Sequence, residues 1–65
     1  MLALKKARER KKLTQKEAAK AIGISFSMLT KMESGYRGAS METMRKVSDF
    51  YGESVDDLFF AIFNH

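Results

Sequence analysis

The sequence predicts an all-α chain of five short helices, and three features carry that expectation. Proline is absent, apolar residues recur at spacings of three and four rather than two, and four glycines divide the chain into blocks. Gly23, Gly38 and Gly52 are each followed within three residues by a serine, Ser25, Ser40 and Ser54, able to cap a new helix. Neither repeats nor linkers interrupt the pattern, so residues 1–65 read as one domain.

The first helix is expected from about Leu2 to Lys12, with Leu4 and Ala7 facing inward and Lys5, Lys6, Glu9, Arg10, Lys11 and Lys12 mostly outward. Thr14-Gln15-Lys16-Glu17 is a capping box that opens the second: the Thr14 hydroxyl accepts from the Glu17 N–H while the Glu17 carboxylate accepts from the Thr14 N–H. Gly23 ends that helix because it takes a positive φ without a Cβ penalty. Ser25 then caps a third helix that runs through Ser34 and is closed by Gly35. Tyr36-Arg37-Gly38-Ala39 reads as a loop, Ser40 caps a fourth helix to about Tyr51, and Ser54 caps a fifth holding Val55, Leu58, Phe59 and Ile62.

Two helices joined at Gly23 invite a test for the helix-turn-helix. Counting from Gln15, the fifth position is the small Ala19, where the two helices must approach, and the ninth is Gly23, where the turn needs a left-handed residue. Ala18, Ile22, Ile24, Leu29 and Met32 are apolar at the positions that join the pair, and Lys16, Lys20, Ser27, Thr30 and Lys31 are polar between them. Core packing alone could give the apolar pattern. Small residue, turn glycine, capping box and second cap together specify the DNA-binding motif.

The stretch Leu13-Thr14-Gln15-Lys16-Glu17-Ala18-Ala19-Lys20-Ala21-Ile22-Gly23-Ile24-Ser25, followed by Met32-Glu33-Ser34-Gly35, resembles the Cro and lambdoid phage repressor family of helix-turn-helix regulators. The likeness extends through Ser40, Thr43, Met44, Lys46, Val47, Gly52, Ser54, Asp56, Asp57, Leu58 and Phe59, and so covers about residues 4 to 59. It implies a compact five-helix, lambda-repressor-like DNA-binding domain that acts as a homodimer on a near-palindromic operator. It also implies a structural ion pair between Arg8 of the first helix and Glu33 of the third. Four positions depart from the family pattern: Ala18 for leucine, Ala39 for a frequent proline, Phe50 for a small residue and Glu53 for an apolar one. Met28, Met32 or Phe50 is expected to fill the volume lost at Ala18.

In such a domain the third helix enters the major groove with its N-terminal residues toward base edges. Phe26, Ser27 and Lys31 share its outward face, and the resemblance gives those three positions base contacts: Lys31 suits guanine O6 and N7, Ser27 several bases, Phe26 a thymine methyl. The competing roles are a solvated lysine, a filler serine, and a phenylalanine stapled against the second helix; Met28 is expected to pack. Candidate phosphate contacts are Gln15, Ser25, Thr30, Ser34, Tyr36 and Arg37, whose positions favour backbone approach at helix starts and in the following loop. The remaining lysines, including Lys5, supply long-range attraction.

Charge and composition narrow the function further. Residues 1–46 carry all twelve Lys and Arg against four acids, net +8, while residues 47–65 carry four acids and no base, net −4. One side is thus fitted to a polyanion. With no cysteine, a single histidine at His65 and only 65 residues, thiolate metal sites, disulfides and a large enzyme cleft are excluded. The expectation is a non-enzymatic protein with no metal, cofactor, membrane span or small-molecule substrate, cytoplasmic and nucleoid-associated when bound to double-stranded DNA. Leu58, Phe60, Ile62 and Phe63 are expected to form the homodimer interface within a 58–65 tail, because a surplus of apolar surface there marks an interface. The leading function is a sequence-specific transcriptional regulator, with repression the expected outcome. The alternative is an antitoxin or adaptor whose aromatic C-terminal surface binds a different protein.

Overall fold

Caps and glycine exits divide the chain where local chemistry requires it. The computed structural model describes residues 2–36 and 38–60, which form α1 (Leu2–Arg10), α2 (Gln15–Ile22), α3 (Phe26–Glu33), α4 (Met41–Tyr51) and a fifth element, a π-helix over Asp56–Phe60. Among the described residues there is no strand, and no helix is long and apolar enough to cross a membrane. The capping box closes in both directions, with Glu17 N–H donating to Thr14 Oγ1 at 3.1 Å and Thr14 N–H to Glu17 Oε1 at 2.9 Å. Ser25, Ser40 and Ser54 accept from the N–H groups of Met28, Thr43 and Asp57 at 3.0, 3.1 and 3.0 Å. Each removes one orphan donor from a helix too short to spare it.

The core gathers Leu4 and Ala7 from α1, Ala18 and Ala19 from α2, Leu29 and Met32 from α3, Met44, Val47 and Tyr51 from α4, and Leu58 and Phe59 from the fifth element. α2 packs on α3, α1 on α3 and on the fifth element, and α2 on α4, with the small Ala19 buried. All three side chains considered for the space beside Ala18 belong to this cluster or border it: Met32 is wholly buried, and Met28 and Phe50 are partly buried against it. Phe50 also meets Tyr51 edge to face at 5.1 Å between ring centroids.

Two expectations need correction. α1 ends at Arg10, not Lys12, because Lys12 turns left-handed at φ 58 and sends Leu13 back against the core. The Leu13 N–H then faces the Arg8 carbonyl at 3.4 Å, and Arg8 Nη1 donates to the Leu13 carbonyl at 2.9 Å. Leu58, expected at a dimer interface, is instead fully buried within its own chain. Its neighbour Phe59 is fully buried too. The wider π-helical winding rotates less from one residue to the next than an α-helix does, which helps adjacent side chains reach the same core.

Lys12 is the one non-glycine residue with positive φ among those described. A left-handed conformation costs an L-residue about 1–2 kcal/mol, against about 0.4–1 kcal/mol for the extra unfolded-state freedom of glycine. Lys12→Gly should therefore raise stability by roughly 0.5–1 kcal/mol. Urea unfolding should show a higher midpoint with an unchanged slope.

Candidate nucleic-acid interface

The orientation of α3 follows from what it buries. Leu29 and Met32 are fully buried, so the opposite face, carrying Phe26, Ser27 and Lys31, turns outward. Phe26 is 46% exposed on the first turn. Ser27 and Lys31 are exposed as well, and Met28 packs part-buried on the core. Ser25 fixes where the helix begins, which brings Phe26 and Ser27 to its N-terminal end, where backbone N–H groups and the helix dipole favour anions.

The C-terminal end of α3 is held by charge. Arg8 Nε donates to Glu33 Oε2 at 2.7 Å and Arg8 Nη2 to Glu33 Oε1 at 3.1 Å, a two-point pair whose side chains are 12% and 6% exposed. Gln15 Nε2 adds a bond to Glu33 Oε1 at 3.0 Å, so α1, α2 and α3 converge on one carboxylate. The hydrogen bonds to Glu33 raise the Arg8 pKa above its ordinary value despite the opposing effect of burial. The Tyr51 hydroxyl is buried and has no hydrogen-bond partner among the described residues. Burial pushes its pKa up to about 12, with the Glu33 carboxylate adding to the shift and Arg8 opposing it.

A shallow groove lies over this joint, lined by Lys5, Arg8, Gln15, Thr30, Glu33 and Ser34. It brings together three phosphate candidates, Gln15, Thr30 and Ser34, from two helices and a cap. Lys5 joins them, although sequence reasoning gave it only a general role. Its position three residues before Arg8 on one helix face was the available signal. Two of the hydroxyls already donate along the backbone, Thr30 Oγ1 to the Ser27 carbonyl at 2.9 Å and Ser34 Oγ to the Lys31 carbonyl at 2.8 Å, which leaves their oxygens as acceptors. Ser25 stands apart at the start of α3, and Tyr36 is 43% exposed beyond its end. Arg37, Ile62 and Phe63 lie outside the described residues, and Phe60 is 40% exposed.

The sequence model of the helix-turn-helix family matches residues 4–58, which runs from Leu4 to Leu58, both fully buried in the core. The chain belongs to this family. It is also 40% identical over 55 residues to the HTH-type transcriptional regulator ImmR of Bacillus subtilis (strain 168), covering 85% of this chain and 43% of that protein. The chain thus spans less than half the length of the curated relative it matches. No solved structure matches.

Within the helix-turn-helix, α2 and α3 are the motif and Arg8 is its external anchor, a Cro-like arrangement in which the first helix is tied to the end of α3. Removing one member costs about 3–5 kcal/mol for a fully buried pair and about 1 kcal/mol or less for an exposed one, and this part-buried pair falls between them. A domain this small has a total stability of roughly 3–10 kcal/mol. Arg8→Ala should consequently lower stability by roughly 1–3 kcal/mol, read as a lower urea midpoint by circular dichroism, whereas replacing both Arg8 and Glu33 by apolar residues should cost far less. A second expectation concerns alkali. The Tyr51 pKa is higher folded than unfolded, so its stabilising contribution is complete below about pH 10 and is lost as pH rises toward about 12. Across that window the wild type should lose stability relative to Tyr51→Phe, while at pH 7 the variant should match or slightly exceed it, having shed an unpaired buried hydroxyl.

Proposed function

We propose that this protein is a transcriptional regulator that binds double-stranded DNA in a sequence-specific manner by laying α3 in the major groove, and that it acts as a repressor by occupying a promoter. The observation that carries this reading is the exposed face of α3, with Phe26, Ser27 and Lys31 outward above a fully buried Leu29 and Met32. Lys31 reads guanine, Ser27 an adjacent base, and Phe26 a thymine methyl. Lys5 and the second Nε2 hydrogen of Gln15 donate to a phosphate at the groove over the Arg8–Glu33 joint, Thr30 and Ser34 join them by turning their hydroxyl hydrogens away from the Ser27 and Lys31 carbonyls, and Ser25, Tyr36 and Arg37 approach the backbone on either side. The basic excess of residues 1–46 supports the same partner and implies binding that weakens steeply with salt.

A near-palindromic operator read by a homodimer completes the proposal. The domain measures 30 × 24 × 20 Å and carries one recognition helix, so two helices one DNA turn apart, about 34 Å, require two chains. Phe60, together with Ile62 and Phe63 of the 58–65 tail, is the proposed dimer contact, on a segment without bases to compete for DNA. The site of action is the cytoplasm, at the nucleoid.

Selection of bound duplexes from random sequence tests the reading directly. The expected product is an inverted repeat with half-sites about 10 base pairs apart. Lys31→Ala should then relax preference at one base position per half-site by roughly 1–3 kcal/mol. Equal weakening on all sequences would make Lys31 a phosphate contact instead.

A further inference from the structure

The exit of α3 ties Tyr36 to Lys31 more closely than chain proximity requires. The Lys31 carbonyl accepts from Ser34 N–H at 3.1 Å, Ser34 Oγ at 2.8 Å and Tyr36 N–H at 3.0 Å. Gly35 N–H donates to the Met32 carbonyl at 3.1 Å, and Gly35 sits at φ 113. Together these bonds form a Schellman cap in which Tyr36 folds back over the residue that begins the last turn, the place where such caps put a side-chain contact. Here the contact is charged. Lys31 Nζ lies 5.6 Å from the centroid of the Tyr36 ring, within reach of a cation–π interaction.

Gly38 leaves room for the ring in that pose. A Cβ at position 38 would come within 2.5 Å of the Tyr36 hydroxyl oxygen and 2.6 Å of the ring carbon that bears it. The ring therefore occupies space that only a glycine leaves open. It is 43% exposed, which is more than the core demands of a tyrosine and less than a freely solvated one shows.

We infer that Tyr36 is a positioning residue for base reading, its ring, seated over Gly38, holding the Lys31 ammonium in the orientation that meets a base edge. This rests on the assignment of Lys31 as a base-reading residue. Lysine is a flexible point charge with four rotatable carbons, so its discrimination between a base and a nearby phosphate depends on what restrains it. An aromatic face restrains without neutralising the charge. The role differs from a phosphate contact through the Tyr36 hydroxyl, because it belongs to the ring.

The test uses a duplex selected from random sequence by the wild type, with its single-base variants at every position, titrated at several salt concentrations. Lys31→Ala defines the position that Lys31 reads. Tyr36→Leu keeps an apolar side chain for the cap and should lower discrimination at that same position by about two- to fivefold, with other positions unchanged. Tyr36→Phe should retain wild-type discrimination. Gly38→Ala, which displaces the ring without removing it, should reproduce Tyr36→Leu and reads the same effect if Tyr36→Leu fails to fold. Loss of discrimination at that same position in Tyr36→Phe would assign the effect to the hydroxyl rather than the ring and overturn the inference. So would unchanged discrimination in Tyr36→Leu or, should that variant not fold, in Gly38→Ala, while Lys31→Ala still relaxes one position. If Lys31→Ala relaxes none, the base-reading assignment itself falls, and this role of Tyr36 with it.

Discussion

The two-point bond between Arg8 and Glu33 is the constraint on which the rest of the structure depends. Both side chains are largely withdrawn from solvent, so neither charge can be left without its partner. Arg8 meets this demand with three different donors: Nε and Nη2 on Glu33, and Nη1 on the carbonyl of Leu13. Gln15 supplies a further donor to the same carboxylate. One ionic joint therefore fixes the end of α1, the turn that follows it, the start of α2 and the end of α3. Replacing such a pair with well-packed apolar residues is often harmless to stability, so its contribution here is geometric. It sets the height and rotation of α3 at one end, and Leu29 and Met32 set its inner face along the length.

The helix exits show how a small chain economises on regular structure. Ile24, Tyr36 and Glu53 each send an N–H back five residues, to Ala19, Lys31 and Ser48, as the chain passes a glycine at positive φ. Leu13 approaches the Arg8 carbonyl in the same way, but around a strained lysine. The strain is tolerated because the turn delivers Leu13 to the core and its carbonyl to Arg8. Glu53, unusual where an apolar residue is common in the family, is accounted for by a contact across the molecule: its carboxylate pairs with Arg10 of α1, and its carbonyl accepts from Ser48 Oγ. Phe50, the other bulky departure, sits beneath the Lys11 ammonium, 5.2 Å from its ring centroid, and against Tyr51. Both departures brace the end of α1 against α4 and the turn after it.

Charge is distributed along the chain in a way that suits this architecture. All twelve basic residues lie in residues 1–46, while three of the eight acids, Glu53, Asp56 and Asp57, follow α4 with no base beside them in sequence. Arg10 and Glu53 meet where the two regions touch. A polyanion approaching α3 therefore meets attraction from α1, α2 and α3 together, with the acidic end on other elements. The groove over the Arg8–Glu33 joint adds local definition, since Lys5, Gln15, Thr30 and Ser34 converge there from separate parts of the chain.

What the sequence determined by itself was everything governed by neighbours within about five residues: the capping box at Thr14, the serine caps, the left-handed glycines and the apolar spacing of α2 and α3. Those interactions close inside one turn of chain, so the residue types specify them. The tertiary structure decided the rest. α1 stops at Arg10 because a guanidinium anchored on a residue 25 positions away also holds the Leu13 carbonyl, and no local signal marks Lys12 as a left-handed residue. Helical spacing of about 100° per residue already separates Leu58 and Phe59 from Phe60, but only the packing of the fifth element on α1 makes Leu58 a core residue rather than a dimer contact. Lys5 enters the groove because packing brings α1, α2 and α3 together there. Such placements depend on where other helices come to rest, and that is set only when the buried charge and the shared core are satisfied together.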